Sequence, residues 1–284
     1  MPVAVVTDST AHLPEGFAER FGIRVVPLHV LVDGLAVPAA EFGPEELTAA
    51  LRRKRIVTTS RPTPSEFAAE FRAALDAGAD SVVSVHLSKR LSGTWEAAVL
   101  AAQEVGPERV RVVDSRTTAM GLGFAAGHAA MIARDGVSGA EVEEAAMAAA
   151  LRSRTLFVVE TLEHLRRGGR IGHAAAVLGT ALMVKPVLHM ADGEITPLEK
   201  VRTTGRAMAR LVELAADAAA AELDVEVAVH HLAAPDRAAE LATRLDERLP
   251  ASRGCVVSEL GAVIGAHTGP GVLGVVVQPQ VPGS

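Results

Sequence analysis

Short apolar runs alternate with helical patterns through the first half of the chain. The runs typical of strands cover residues 3–6, 24–32, 81–85 and 109–113, and Pro27 breaks the second of them. The helical patterns between them cover residues 14–21, 44–53, 64–77 and 93–103. Strands that are separated by helices in this way are typical of a parallel, doubly wound sheet.

Two capping boxes set helix starts and the domain boundary. Thr63 and Glu66 flank Pro64, which is the pattern of a helix that begins with proline in its first turn. Ser138 and Glu141 form a second box, which divides the helical stretch 120–150 into two helices. We place the boundary after this stretch, which gives an N-terminal α/β domain over residues 1–152 and a second domain over 153–284.

The second half of the chain has a different pattern. Strand-like segments at 185–190 and 195–201 are joined by a turn that contains Asp192-Gly193, a strong hairpin signal. Further strands are predicted at 155–160, 225–231, 255–258 and 271–277, and helices at 204–220 and 235–249. A hairpin with segregated helices predicts an α+β domain with a mainly antiparallel sheet.

Composition narrows the class of protein. Of the 284 residues, 49% are hydrophobic, 22% are charged and 3% are aromatic, which suits a globular core built from Ala, Val and Leu. A net charge of −6 and the lack of tyrosine disfavour nucleic acid as a partner. The single cysteine, Cys255, excludes an intrachain disulfide and a CxxC metal site, and it fits a reducing compartment.

Membrane insertion is not expected from the sequence. No run reaches 18 apolar residues, and Asp8 interrupts the first apolar run too early for a signal peptide. We therefore expect a cytoplasmic protein. We also expect a monomer, because no large apolar surface stripe is evident.

Hydroxyl-rich loops follow or precede the predicted elements of the first domain. They cover residues 7–10, 58–63, 87–94 and 114–118. Ligands of open α/β sheets bind beyond the carboxyl ends of the strands, and helix N-termini favour anions. The pattern predicts an anion held by Ser and Thr, although such residues also serve as plain helix N-caps. No phosphate-cradling glycine motif is present.

Two features of the second half could also carry function. The glycine-rich segment 261–271 surrounds His267, which could donate to a carboxylate, act as a general base, or lie in a purely structural turn. Basic side chains outnumber acidic ones between residues 166 and 210, which suggests docking of an acidic partner or a solvated face. The basic residues there are Arg166, Arg167, Arg170, Lys185, Lys200, Arg202, Arg206 and Arg210.

Seven short motifs occur in order along the whole chain. They are Val6-Thr7-Asp8-Ser9-Thr10, Thr59-Ser60-Arg61-Pro62-Thr63-Pro64, Leu91-Ser92-Gly93-Thr94, Val113-Asp114-Ser115, Gly168-Gly169-Arg170-Ile171, Lys185-Pro186 and His267-Thr268-Gly269-Pro270-Gly271. Together they resemble the DegV family of bacterial fatty-acid-binding proteins. The resemblance implies a two-domain carrier, not an enzyme, that buries one long-chain fatty acid in a tunnel. It also implies that a separate kinase subunit phosphorylates the carboxylate with ATP.

The resemblance also suggests roles for individual residues. Thr59, Ser92 and His267 correspond to the groups that hold the carboxylate, and Arg170 and Arg202 to the basic surface that meets the kinase. Candidates for a second part of the pocket are Ser60, Gly93, Thr94 and Thr268. No cofactor and no metal is expected.

Arg61 stands where the family more often has glutamine. This difference could change the charge at the mouth of the pocket, so the preferred lipid stays open. A small hydrolase or phosphotransferase that uses Ser92 and His267 is the alternative, and a regulator with an empty cleft is a second one. Since no GxSxG elbow occurs, a Ser-His-Asp hydrolase has no support from motifs.

Overall fold

The computed structural model describes residues 2–37, 42–177, 185–220, 222, 224–250 and 252–280. They form two compact units. The first unit contains residues 2–29 and 60–152, and the second contains Val30–Thr59 and Ser153–Gln280. The sequence placed the boundary at residue 152, whereas the structure also assigns residues 30–59 to the second unit.

The elements have the following bounds in chain order. The strands are β1 (Val3–Asp8), β2 (Arg24–Val26), β3 (His29–Val32), β4 (Leu35–Val37), β5 (Val57–Ser60), β6 (Ser81–His86), β7 (Val110–Asp114), β8 (Arg154–Val158), β9 (Lys185–Ala191), β10 (Glu194–Val201), β11 (Val225–His231), β12 (Ser252–Glu259) and β13 (Leu273–Pro279). The helices are α1 (Phe17–Phe21), α2 (Pro44–Arg52), α3 (Pro64–Asp76), α4 (Thr94–Val105), α5 (Met120–Ala133), α6 (Gly139–Arg152), α7 (Glu163–Arg167), α8 (Thr204–Ala219), α9 (Pro235–Arg248) and α10 (Ala262–Thr268).

The first unit is built on a four-stranded sheet of order β2-β1-β6-β7, in which every pairing is parallel. Alternate residues of a strand face opposite sides of the sheet. On one side Val82 packs with Phe67 and Phe71 of α3, and on the other side Val85 packs with Leu122 of α5. Helices therefore cover both faces, which confirms the predicted parallel, doubly wound sheet.

Both predicted capping boxes are present. The Thr63 amide donates to Glu66 Oε2 over 2.7 Å, and the Glu66 amide donates back to Thr63 Oγ1 over 3.3 Å. Ser138 and Glu141 make the same reciprocal pair where α6 begins. These bonds satisfy amides that have no partner inside the helix.

The predicted strand at 24–32 is two strands in two different sheets. Pro27 has no amide hydrogen and cannot donate to a ladder, so the first strand ends beside it. β2 joins the parallel sheet, whereas β3 lies in a three-stranded sheet of order β4-β3-β5. This switch is the physical reason why residues 30–59 leave the first unit.

The second unit has a six-stranded sheet of order β10-β9-β8-β13-β11-β12. Only the β11–β12 pairing is parallel; the other described pairings of this sheet are antiparallel. Asp192 and Gly193 close the β9–β10 hairpin with positive φ angles, as the Asp-Gly signal predicts. Leu211 of α8 and Leu241 of α9 pack on the sheet, which confirms the predicted α+β architecture.

Candidate functional site

Thr59 and His267 meet within the second unit. Thr59 lies in β5, and His267 lies in the last turn of α10, inside the glycine-rich segment. Although 208 residues separate them, Thr59 Oγ1 and His267 Nε2 are 2.8 Å apart and share a hydrogen bond. The structure therefore brings together two of the three residues that were predicted to hold a carboxylate.

The imidazole of His267 is uncharged at neutral pH. Burial, with a smaller contribution from the charge of Arg170, lowers the pKa of His267 to about 4. Its second nitrogen, Nδ1, is buried and has no hydrogen-bond partner among the described residues. A Cβ atom placed on Gly168 would lie 2.1 Å from Nδ1, so this nitrogen faces the Gly168 backbone.

This environment assigns the proton of the neutral ring. A buried N–H without a partner costs about 1–3 kcal/mol, and a hydrogen on Nδ1 would be such a group. We therefore place the hydrogen on Nε2, from which it is donated to Thr59 Oγ1. The hydroxyl hydrogen of Thr59 is then left to donate elsewhere, which makes the pair a neutral donor for an anion.

The same geometry bears on the hydrolase alternative. In a catalytic triad, a carboxylate accepts a hydrogen bond from the second imidazole nitrogen. In His267 that nitrogen faces Gly168, and among the described residues no carboxylate bonds to the ring. The His267 site therefore has the form of a donor pair and not of a triad.

Ser92 lies in the first unit, in the loop that leads into α4. Its hydroxyl forms a 2.8 Å hydrogen bond with Thr94 Oγ1. The next residue, Gly93, is the N-cap of α4. The guanidinium of Arg61 packs against it, because a Cβ on Gly93 would lie 2.0 Å from Arg61 Nη1. Arg61 is exposed and has no ionic partner within the described ranges, so it adds a positive charge beside Gly93, the residue that follows Ser92.

The other candidates for the pocket have separate environments. Ser60 is exposed at the end of β5. Thr268 donates its hydroxyl hydrogen to the Ile264 carbonyl over 3.2 Å, which is a bond within its own helix. Thr94 is fully buried against Ser92. Their predicted part in a pocket stays a prediction.

At least four of the eight basic side chains in this segment bond to acidic neighbours. Arg166 and Arg167 bond to Glu163, Lys185 bonds to Glu160, and Arg210 bonds to Glu199 and Glu213. Arg170 Nη1 donates to the Gly168 carbonyl over 2.5 Å. Arg202 and Arg206 are exposed, and neither has an ionic partner in the described part of the chain.

A buried polar chain in the first unit was not predicted. Ser84 Oγ lies 2.6 Å from His86 Nε2, and His86 Nδ1 lies 3.0 Å from Asp8 Oδ2. All three side chains are 0% exposed. The order serine, histidine, aspartate is that of a triad, but a hydroxyl without solvent access cannot attack a substrate. The chain is structural, and it commits the Asp8 carboxylate to hydrogen bonds inside the fold.

A cleft of about 310 Å³ opens beside the end of β1 in the first unit. Its walls include Ser9, His12, Leu13 and Val25, and none of the predicted carboxylate ligands lines it. Burial lowers the pKa of His12 to about 4, so the imidazole at this wall is neutral. We assign no lipid to this cleft.

Within the described ranges, no His, Cys, Asp and Glu side chains are grouped in a way that could hold a metal ion. No helix in that part of the chain combines the length and the apolar character needed to cross a bilayer.

Known proteins match nearly the full length of this chain. A family model described as an uncharacterised protein of the DegV family matches residues 2–280. A DegV domain-containing protein of Streptomyces coelicolor is 54% identical over 279 residues, which cover 98% of this chain and 99% of the relative.

Solved structures agree with that match. A DegV family protein from Thermus thermophilus, described by its fatty acid binding, has a TM-score of 0.93 at 37% identity and covers 99% of this chain and 100% of its own. DegV of Bacillus subtilis, described as a fatty acid binding protein, has a TM-score of 0.89 at 33% identity over 99% and 100% of the two chains.

Proposed function

This chain belongs to the DegV family, and on that premise we propose that it binds one long-chain fatty acid and holds the carboxylate with the Thr59–His267 pair. The observation that carries the proposal is the 2.8 Å bond between Thr59 Oγ1 and His267 Nε2. With the ring hydrogen on Nε2, the Thr59 hydroxyl keeps its own hydrogen for donation to a ligand oxygen. The fatty acid binding described for the relatives from Thermus thermophilus and Bacillus subtilis supports the choice of ligand.

Neutral donors suit a carboxylate that must later react. A buried carboxylate without partners costs several kcal/mol, and hydrogen bonds from hydroxyl groups offset that cost. Donors without a full charge leave an oxygen able to attack a phosphoryl group. The affinity comes from the tail, because about 14 buried methylenes contribute about 11 kcal/mol before the costs of association. Ser92 is proposed as a further hydroxyl donor on the strength of its motif.

The titration of His267 tests the binding site. A carboxylate beside the ring favours the charged imidazolium. Bound palmitate should therefore raise the pKa of His267 from about 4 to roughly 5–7. Methyl palmitate, which has the same tail and no charge, should leave it unchanged. The measurement is a nuclear magnetic resonance titration of the histidine ring protons of delipidated protein with each ligand, over the pH range in which the protein stays folded.

His231 provides the control in this experiment. It lies in the same unit, and burial lowers its pKa as well. Neither palmitate nor methyl palmitate should change the pKa of His231. If palmitate binds stoichiometrically and the pKa of His267 does not change, the carboxylate lies elsewhere. If no palmitate binds at all, the proposed lipid ligand is wrong.

We further propose that the protein is a carrier that presents the bound carboxylate to a separate, ATP-using kinase subunit. The proposed docking surface consists of Arg202 and Arg206, because both are exposed and neither is neutralised by a described acidic neighbour. Arg170, which was also predicted to dock, bonds to the Gly168 carbonyl. Its removal would therefore disturb more than a surface charge.

Substitution of Arg202 should impair docking to the kinase and leave lipid binding intact. We expect Arg202→Ala to reduce kinase-dependent acyl-phosphate formation about tenfold at low salt, with unchanged palmitate affinity, since rim charges act on association. Arg210→Ala removes the same charge from a paired site and is the matched control. Equal loss in both variants would mean a general charge effect, and no loss in either would exclude this docking surface.

A further inference from the structure

Two histidines and two glycines pack against one another between α7 and α10 in the second unit. His267, in α10, lies against Gly168, the residue that ends α7. A Cβ on Gly168 would lie 2.1 Å from His267 Nδ1 and 2.8 Å from Cε1. Both distances are far below van der Waals contact, so the ring can take this position only because residue 168 has no side chain.

The same contact occurs in the opposite direction. His164, in α7, lies against Gly269, which follows α10. A Cβ on Gly269 would lie 2.3 Å from His164 Cδ2, and Gly269 has a φ of +74°, which side chains rarely adopt. Each helix thus inserts an imidazole into a gap that the other leaves open. This arrangement fixes the rotation of α10 about its axis, and with it the direction in which His267 points.

The Gly168 turn is itself held on both sides. Its amide donates to the His164 carbonyl over 3.0 Å, and its carbonyl accepts from Arg170 Nη1 over 2.5 Å. A turn that is anchored in this way cannot easily move away from the ring. A larger residue at position 168 would therefore displace the ring rather than the turn.

We propose that Gly168 is a positioning residue of the carboxylate site, which holds the His267 ring in contact with Thr59 through the reciprocal packing of α7 and α10. The role rests on the proposed function, since it concerns the same donor pair. The ring is confined between the Gly168 backbone on the Nδ1 side and Thr59 on the Nε2 side. A methyl group on residue 168 would need more than 1 Å of extra room on the Nδ1 side of the ring. The ring would have to shift by that amount, and such a shift is large enough to break its 2.8 Å hydrogen bond with Thr59.

Gly168→Ala tests this role. The backbone at Gly168 is ordinary right-handed helix, with φ of −74°, so alanine is compatible with the local backbone. The severe contacts of the added methyl are with the His267 ring, at 2.1 and 2.8 Å, whereas the His164 carbonyl oxygen lies 3.3 Å away. We expect palmitate affinity to fall about tenfold, as for the loss of one hydrogen bond to a charged group. Gly205→Ala, at a helical glycine with no atom within 4 Å of the added methyl, is the matched control and should bind normally.

The double variant Gly168→Ala/His267→Ala separates positioning from general damage. Without a ring at position 267, the added methyl has nothing to displace, and the two substitutions should be strongly non-additive. The double variant should bind palmitate within about twofold of His267→Ala alone. A further tenfold loss in the double variant would overturn the proposal, because it would show that alanine at 168 acts by another route.

A second readout does not depend on lipid. In delipidated protein, a ring pushed away from Gly168 becomes more solvated, so the pKa of His267 should rise in Gly168→Ala toward the ordinary 6.5. Gly205→Ala should leave it unchanged. An unchanged pKa of His267 in Gly168→Ala would refute the positioning role. This result would count even if the wild type proved not to bind fatty acids.

Discussion

Thr59→Val is expected to weaken palmitate binding by about 1.5–3 kcal/mol, which is roughly 10- to 150-fold. Valine keeps the branched shape of threonine but has no hydroxyl, so the donor aimed at the carboxylate disappears. The Nε2–H of His267 also loses its acceptor, which is 2.8 Å away in the wild type. Isothermal titration of delipidated protein with palmitate gives the affinity directly.

Thr59→Ser is the matched control for this experiment. Serine retains the hydroxyl and loses only a methyl group, so it should bind within a few-fold of the wild type. Ser92→Ala is measured alongside, since the motif resemblance predicts the same donor role for Ser92. Equal affinity of Thr59→Val and Thr59→Ser would show that the hydroxyl does not hold the carboxylate.

Signals that act over a few residues were readable from the sequence. The boxes at Thr63–Glu66 and Ser138–Glu141 predicted helix starts, because the groups that cap a helix lie three residues apart. The Asp192-Gly193 turn predicted the β9–β10 hairpin for a similar reason, since the turn itself requires positive φ. Alternation of strands and helices was sufficient to predict the doubly wound sheet of the first unit.

Relations between distant residues were not readable in this way. No local pattern connects Thr59 with His267, and they were singled out by resemblance to a family and not by spacing. The role of Gly168 has no signal of its own, because what matters there is a missing side chain beside a ring that is distant in sequence. Pro27 did interrupt an apolar run, but the sequence could not show that the chain changes sheets beside it.

The largest stability effect is expected at Asp8. Its carboxylate accepts hydrogen bonds from four groups: the amide and hydroxyl of Thr10, the amide of Leu87 and the Nδ1–H of His86. The side chain is 0% exposed, so in the folded wild type no bulk water solvates these donors. Asp8→Ala leaves these donors buried without an acceptor, and we expect the free energy of unfolding of the first unit to fall by about 3–5 kcal/mol.

Asp114→Ala is the matched control, because Asp114 ends the strand next but one in the same sheet and also accepts from two backbone amides. Its side chain is 14% exposed, so water can reach the vacated donors and the cost should be about 1 kcal/mol. Trp95, the only tryptophan of the chain, lies in the first unit. Its fluorescence in urea therefore reports on the unfolding of that unit. If Asp8→Ala shifts the urea midpoint no more than Asp114→Ala does, the buried chain from Asp8 through His86 to Ser84 does not stabilise the carboxyl ends of β1 and β6.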